Sequence, residues 1–102
     1  MWIVASFDLP AGDRADARRY RLLRKTLIGS GFSFVQESVA WRWCADREQA
    51  GWAIARIRKA IPQKGSILFL QLPDASFGAT VHLEDGESLP PPVPPDPWLV
   101  FS

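Results

Sequence analysis

Few side chains in this sequence have types and spacings suited to chemistry. Asp8 closes the apolar run Trp2–Phe7 and stands just before Leu9 and Pro10, where a strand must stop. On its own such a residue reads as an ordinary strand-end acid before a proline turn. Asp13 and Asp16 are close in sequence, but Asp13 suits a helix N-cap and Asp16 a solvated position on that helix. His82 is the only histidine. A general base there is conceivable, yet a lone histidine in a late strand is more often a half-buried packing residue. Cys44 is the single cysteine and has no partner for a disulfide or a zinc site, so it reads as packing in a reducing compartment. The chain has no glycine-rich phosphate loop, no paired cysteines and no His-Glu-x-x-His, and a nucleophilic triad lacks a credible histidine.

Charge is the second signal. The net value of +1 hides an uneven distribution, because all twelve Lys and Arg residues lie between Arg14 and Lys64. With six acids in the same stretch, residues 1–64 carry +6, while the five acids after Lys64 give the remainder −5. A basic body suits a polyanion, although solvated cations are the default for any surface. On a helix Arg14, Arg18, Arg21 and Lys25 fall within about 60° of one another, which makes a stripe able to bind phosphates without reading base sequence.

These residues need a frame. Trp2–Leu9 reads as a first strand stopped by Pro10 and Gly12. Asp13 then caps a helix running to about Gly29, with Ala17, Tyr20, Leu23, Leu27 and Ile28 as its apolar arc. Phe32–Cys44 alternates with the strand period, placing Val35, Val39, Trp41 and Trp43 on one parity; it is long for one strand, so a turn near Gln36, Glu37 and Ser38 divides it. Trp41 and Trp43 suit an interface or core better than base stacking. Asp46 and Gln49 form a capping box before a second amphipathic helix with Ala50, Ala53, Ile54, Ile57 and Ile61, ended by Pro62 and Gly65. Trp52 lies opposite that apolar face and marks a further contact surface. Ser66–Leu72 reads as a buried strand, Pro73–Gly78 as a turn and Ala79–Glu84 as a short final strand.

The order is βαββαβ plus an extra C-terminal strand. It predicts an α+β, ferredoxin-like sandwich with both helices on one face of an antiparallel sheet. The first strand and Ile67–Leu72 are apolar at both parities, however, and strands of that kind are covered on both faces. At 102 residues the domain buries only about two thirds of its unfolded surface. A symmetry mate over the second face, giving a two-fold homodimer, is the simplest cover. No run reaches the roughly 20 apolar residues of a membrane span. The amino terminus lacks the pattern of a secretory signal, so the expected location is cytoplasmic.

A domain over residues 1–84 is followed by a distinct segment over 85–102. Pro90, Pro91, Pro92, Pro94, Pro95 and Pro97 make a polyproline II spacer ending in Trp98, Leu99, Val100 and Phe101. Four consecutive large apolar residues are expected to dock on protein, as a strand added to an exposed sheet edge.

Phe7-Asp8-Leu9-Pro10, then Gly31-Phe32, then Gln36, Ser38 and Val39, and finally Gln71-Leu72 with Phe77-Gly78 stand in an order and spacing that resemble the CRISPR-associated "Cas two" family, over residues 1 to about 84. The resemblance implies a ferredoxin-like homodimer acting in spacer acquisition beside a CRISPR integrase subunit, with metal-dependent endonuclease activity on RNA or DNA. It also implies that Asp8 is the catalytic residue, meeting its symmetry mate across the dimer axis so that the pair holds one Mg2+ or Mn2+. The chemistry agrees, since magnesium favours one or two carboxylates with waters retained, and phosphodiester hydrolysis needs an ion to activate water and offset charge. Arg14, Arg18, Arg21 and Lys25 would bind the nucleic acid, and the apolar tail would dock on the other protomer or the integrase. The alternative is a non-catalytic dimeric scaffold that holds duplex DNA for the integrase.

Overall fold

The computed structural model describes residues 1–61 and 64–95. Strand β1 (Trp2–Asp8), helix α1 (Arg14–Gly29), strands β2 (Ser33–Gln36) and β3 (Val39–Trp43), helix α2 (Arg47–Ala60) and strand β4 (Ser66–Leu72) follow one another in the expected βαββαβ order. The sheet order is β2-β3-β1-β4, and every neighbouring pair is antiparallel. This is the ferredoxin-like arrangement.

Both helices begin with the same device. Asp13 accepts the Asp16 amide at 2.8 Å and Asp46 accepts the Gln49 amide at 2.8 Å. In return the side chains at the third helical positions accept the amides just before the caps, Gly12 onto Asp16 at 3.0 Å and Ala45 onto Gln49 at 2.7 Å. Each helix thus satisfies donors that its first turn leaves orphaned. At the far end of α1, Gly31 takes φ +87°, and Arg42 donates to the Ser30 carbonyl at 2.7 Å, setting a cation at the negative end of the helix.

The period of two sorts β1 between two environments. Ile3, Ala5 and Phe7 point into the helix layer, where they pack with Leu23 and Leu27 of α1, Ala50, Ala53 and Ile57 of α2, and Phe32, Ala40 and Cys44. Cys44 is fully buried, and burial pushes its thiol above the ordinary range, as befits a packing residue. The apolar arc of α1 is narrower than its sequence suggests. Ala17 and Ile28 are exposed, Tyr20 is half-buried, and the inward position near the helix start belongs to Asp16.

The opposite sheet face carries Trp2, Val4, Ser6 and Asp8 from β1, with Leu68, Leu70 and Leu72 from β4 and Val39, Trp41 and Trp43 from β3 in the same registers. Among the described residues, the segment after β4 covers part of it: Phe77 lies over Trp2, and residues 80–83 line a cleft with Val39 and Trp41. Residues 73–78, expected as a turn, contain a short helix α3 (Asp74–Gly78) whose Phe77 is 1% exposed. Phe77 stacks on Trp2 at 4.2 Å between ring centroids and meets Trp41 edge-on at 5.1 Å. The expected final strand is one arm of a separate hairpin, β5 (His82–Glu84) with β6 (Glu87–Leu89). Asp85 and Gly86 form its turn with φ of 51° and 81°, the left-handed pair that tight hairpins require. Glu87–Leu89, grouped by composition with the proline-rich segment, therefore pairs back on the preceding strand. His82 is half-buried and faces Trp41 edge-on, in keeping with a packing role.

Candidate metal centre and phosphate-binding surface

Asp8 is the last residue of β1 and lies opposite Ser66 of β4. Parity puts it on the open face with Val4 and Ser6, and it is exposed. Past it the chain turns through Leu9 to Asp13 into α1, forming one wall of a cleft of about 350 Å³. Tyr20 and the β2–β3 turn at Glu37 and Ser38 form the other wall. That turn is pinned by two hydrogen bonds: the Phe7 amide donates to the Ser38 carbonyl at 3.0 Å and the Tyr20 hydroxyl to the Glu37 carbonyl at 2.8 Å. The sequence divided Phe32–Cys44 correctly at these residues, but did not show that the turn packs against the end of β1.

The three nearby aspartates have different duties. Asp13 is committed to capping α1. Asp16, expected in solvent, is 5% exposed. Its Oδ1 lies 2.6 Å from Arg19 and 3.8 Å from Lys64, and Oδ2 accepts the Gly12 amide. The Gly12 amide, then Lys64, the cap and Arg19, hold the Asp16 carboxyl below its ordinary value against the opposing effect of burial. The clue was present in the sequence, because Asp13-x-x-Asp16 is spaced as a capping box. Only Asp8 is left free to bind an ion. Among the described residues no group of three or more His, Cys, Asp or Glu side chains is placed to hold a metal within one chain. A magnesium-type ion needs few carboxylates, so Asp8 fits such an ion once a second carboxylate faces it.

The basic stripe lies on another surface. Arg14, Arg18, Arg21 and Lys25 are all exposed, and the first three surround a shallow groove floored by Ala17. Among the described residues none of the four is in an ion pair. Three exposed cations around one groove form a positively charged surface of the kind that contacts phosphate and not base edges. Trp52 is 65% exposed on α2, as its position opposite the apolar face suggested. Pro90–Pro95 carries no regular element, and Trp98, Leu99, Val100 and Phe101 lie outside the described residues.

The sequence profile of the family described as CRISPR associated protein Cas2 matches residues 1–80. The chain belongs to the Cas2 family. A CRISPR-associated endoribonuclease Cas2 of Flavobacterium psychrophilum is 40% identical over 78 residues, covering 76% of this chain and 68% of that relative. The Parvibaculum lavamentivorans protein of the same name is 37% identical over 78 residues, covering 76% of this chain and 77% of its own length. The Cas2 relative of Paracidovorax avenae is 27% identical over 101 residues, 99% of this chain and 94% of that one. Its alignment extends through the proline-rich segment, where the family profile has already ended. Among solved structures, Streptococcus pyogenes Cas2 at pH 6.5 superposes with a TM-score of 0.56 over 72% of this chain and 87% of that one. At 24% identity this likeness speaks for the Cas2 fold alone. Among the described residues no helix is long and apolar enough to cross a membrane.

Proposed function

We propose that two copies of this Cas2 chain pair through the open sheet face, bring their Asp8 carboxylates together around one Mg2+ or Mn2+, and hydrolyse phosphodiester bonds of RNA or DNA during spacer acquisition. The observation that carries this reading is the position of Asp8. It stands at the edge of an apolar face that the described residues leave partly open, with Leu68 61% and Leu70 50% exposed on the same face. A two-fold axis through that face would bury the leucines and convert a lone carboxylate into a pair. When bound, the ion would activate water and offset the charge that develops on phosphate. The residues of the chain supply the rest: Asp8 anchors the ion, and Arg14, Arg18, Arg21 and Lys25 hold the backbone. The names of the curated relatives, CRISPR-associated endoribonuclease Cas2, support the reaction class.

A second reading is a scaffold that holds duplex DNA for an integrase subunit, favoured by the groove among Arg14, Arg18 and Arg21, which stands apart from the residues lining the Asp8 cleft except for the shared Ala17. Asp8→Asn, assayed side by side for cleavage and for spacer acquisition, separates the two. Loss of both supports the enzyme. Loss of cleavage with acquisition intact favours the scaffold, and retained cleavage removes Asp8 from the chemistry. Residues 98–101 are proposed to dock on the integrase, so deleting 90–102 should weaken that association and leave the dimer intact.

A further inference from the structure

Asp8 itself is poorly anchored. Among the described residues no hydrogen bond holds its side chain, so the direction of its carboxylate depends on the backbone on either side. That backbone is constrained from two directions. The loop after Asp8 is tied at Gly12, whose amide donates to Asp16 Oδ2 at 3.0 Å. The segment beside Asp8 arrives through Lys64, whose Nζ lies 3.8 Å from Asp16 Oδ1. Gly65 follows with φ +89°, so close to β1 that a Cβ on it would stand 2.7 Å from the Asp8 carbonyl oxygen and 2.6 Å from a Leu9 methyl. Ser66 then pairs with Asp8. Both segments that flank the carboxylate thus converge on one buried acid, which Arg19 fixes in turn from within α1 at 2.6 Å.

We propose that Asp16 is the positioning residue of the Asp8 site, holding the 9–12 loop and the 64–66 segment in the register that aims the Asp8 carboxylate across the open face. The inference rests on the metal role proposed for Asp8. It goes beyond helix capping, because a cap alone would stabilise α1 and leave the ion site indifferent. The network acts on ion affinity and turnover, with no direct contact to nucleic acid.

The test uses the full-length chain and Mn2+ alone, with free ion followed by electron paramagnetic resonance, together with kcat and KM for cleavage. Asp16→Ala should weaken Mn2+ binding by about 10-fold, the low end for residues that orient a metal ligand. It should lower kcat in step and leave KM unchanged. Asp16→Asn keeps the shape and an acceptor for Gly12 but loses the charge that holds Lys64, so it should fold normally and show a smaller loss of the same kind. Gln49→Ala removes the matching third-position acceptor from α2, which takes the Ala45 amide; it should lower the thermal midpoint with no change in Mn2+ affinity. Wild-type Mn2+ affinity in folded Asp16→Asn, or an equal loss of affinity in Gln49→Ala, overturns the positioning role. The parent reading fails on a different result, Mn2+ binding that survives in Asp8→Asn.

Discussion

The two faces of the sheet are made from the same strands and have opposite fates. Towards the helices, Ile3, Ala5 and Phe7 of β1 are buried and close a core. On the other side Val4 is half-buried, Asp8 is exposed, and Leu68 and Leu70 of β4 stand at least half open. Contiguous exposed apolar surface on a small soluble protein marks a contact surface. The helix face makes the monomer fold. The open face, with a carboxylate at its edge, is where the proposed pairing would bring a second chain's groups to Asp8.

The sharpest way to break this contrast is to truncate the same kind of side chain on each face. Phe7→Ala on the helix side should cost about 3–5 kcal/mol and bring a domain of this size near unfolding, read as a collapse of the denaturant midpoint. Leu68→Ser with Leu70→Ser on the open side should leave the fold of each chain intact yet release monomers in sedimentation, since each buried leucine contributes roughly 1.5–3 kcal/mol to whatever covers it. A double variant that stays dimeric would show that the leucines are not the interface.

A smaller effect belongs to the surface stripe. Replacing Arg14, Arg18, Arg21 and Lys25 by glutamine should weaken duplex binding and reduce the slope of its logarithmic salt dependence by about one for each phosphate no longer neutralised. An unchanged slope would return the stripe to the status of a solvated face. The proposed dimer should survive in either case, because the stripe lies on α1 and not on the open face.

The smallest expected effect is the pH response of the acid behind Asp8. The carboxyl of Asp16 is held below its ordinary value of 3.8, so the unfolded chain takes up this proton first as the pH falls. The stabilisation is complete above the ordinary value and is lost as the pH drops through the lower folded value. Urea midpoints of wild type and Asp16→Asn should therefore differ at neutral pH and converge in acid. A gap that persists at the lowest pH would mean the difference comes from packing.

Much of the frame was legible because it is local. Asp13 and Gly31 bracket α1, and Asp46 with Gln49 opens α2, as their spacings indicate. The family resemblance, on Phe7–Pro10 and the three later fragments, agrees with the match over residues 1–80. What escaped was a local spacing left unread at Asp16 and contacts made only on folding. Asp16 reads as solvated until Lys64 and Gly12 are brought around it, 48 and 4 residues away. Phe77 sits in a five-residue helix too short for periodicity, and only its stack on Trp2 explains its burial. The Asp85-Gly86 turn that joins β5 to β6 was readable from the dipeptide alone, but the prolines that follow it drew attention away from it.

The most direct test of a shared ion site is the stoichiometry of Mn2+ binding to the purified chain, measured by titration at a concentration where sedimentation fixes the oligomer. Two Asp8 carboxylates sharing an ion across the open face predict one ion for every two chains, lost in Asp8→Asn and in the Leu68→Ser, Leu70→Ser monomer. One ion for every chain, or binding that survives in the monomer, would contradict the shared site and with it the role assigned to the open face.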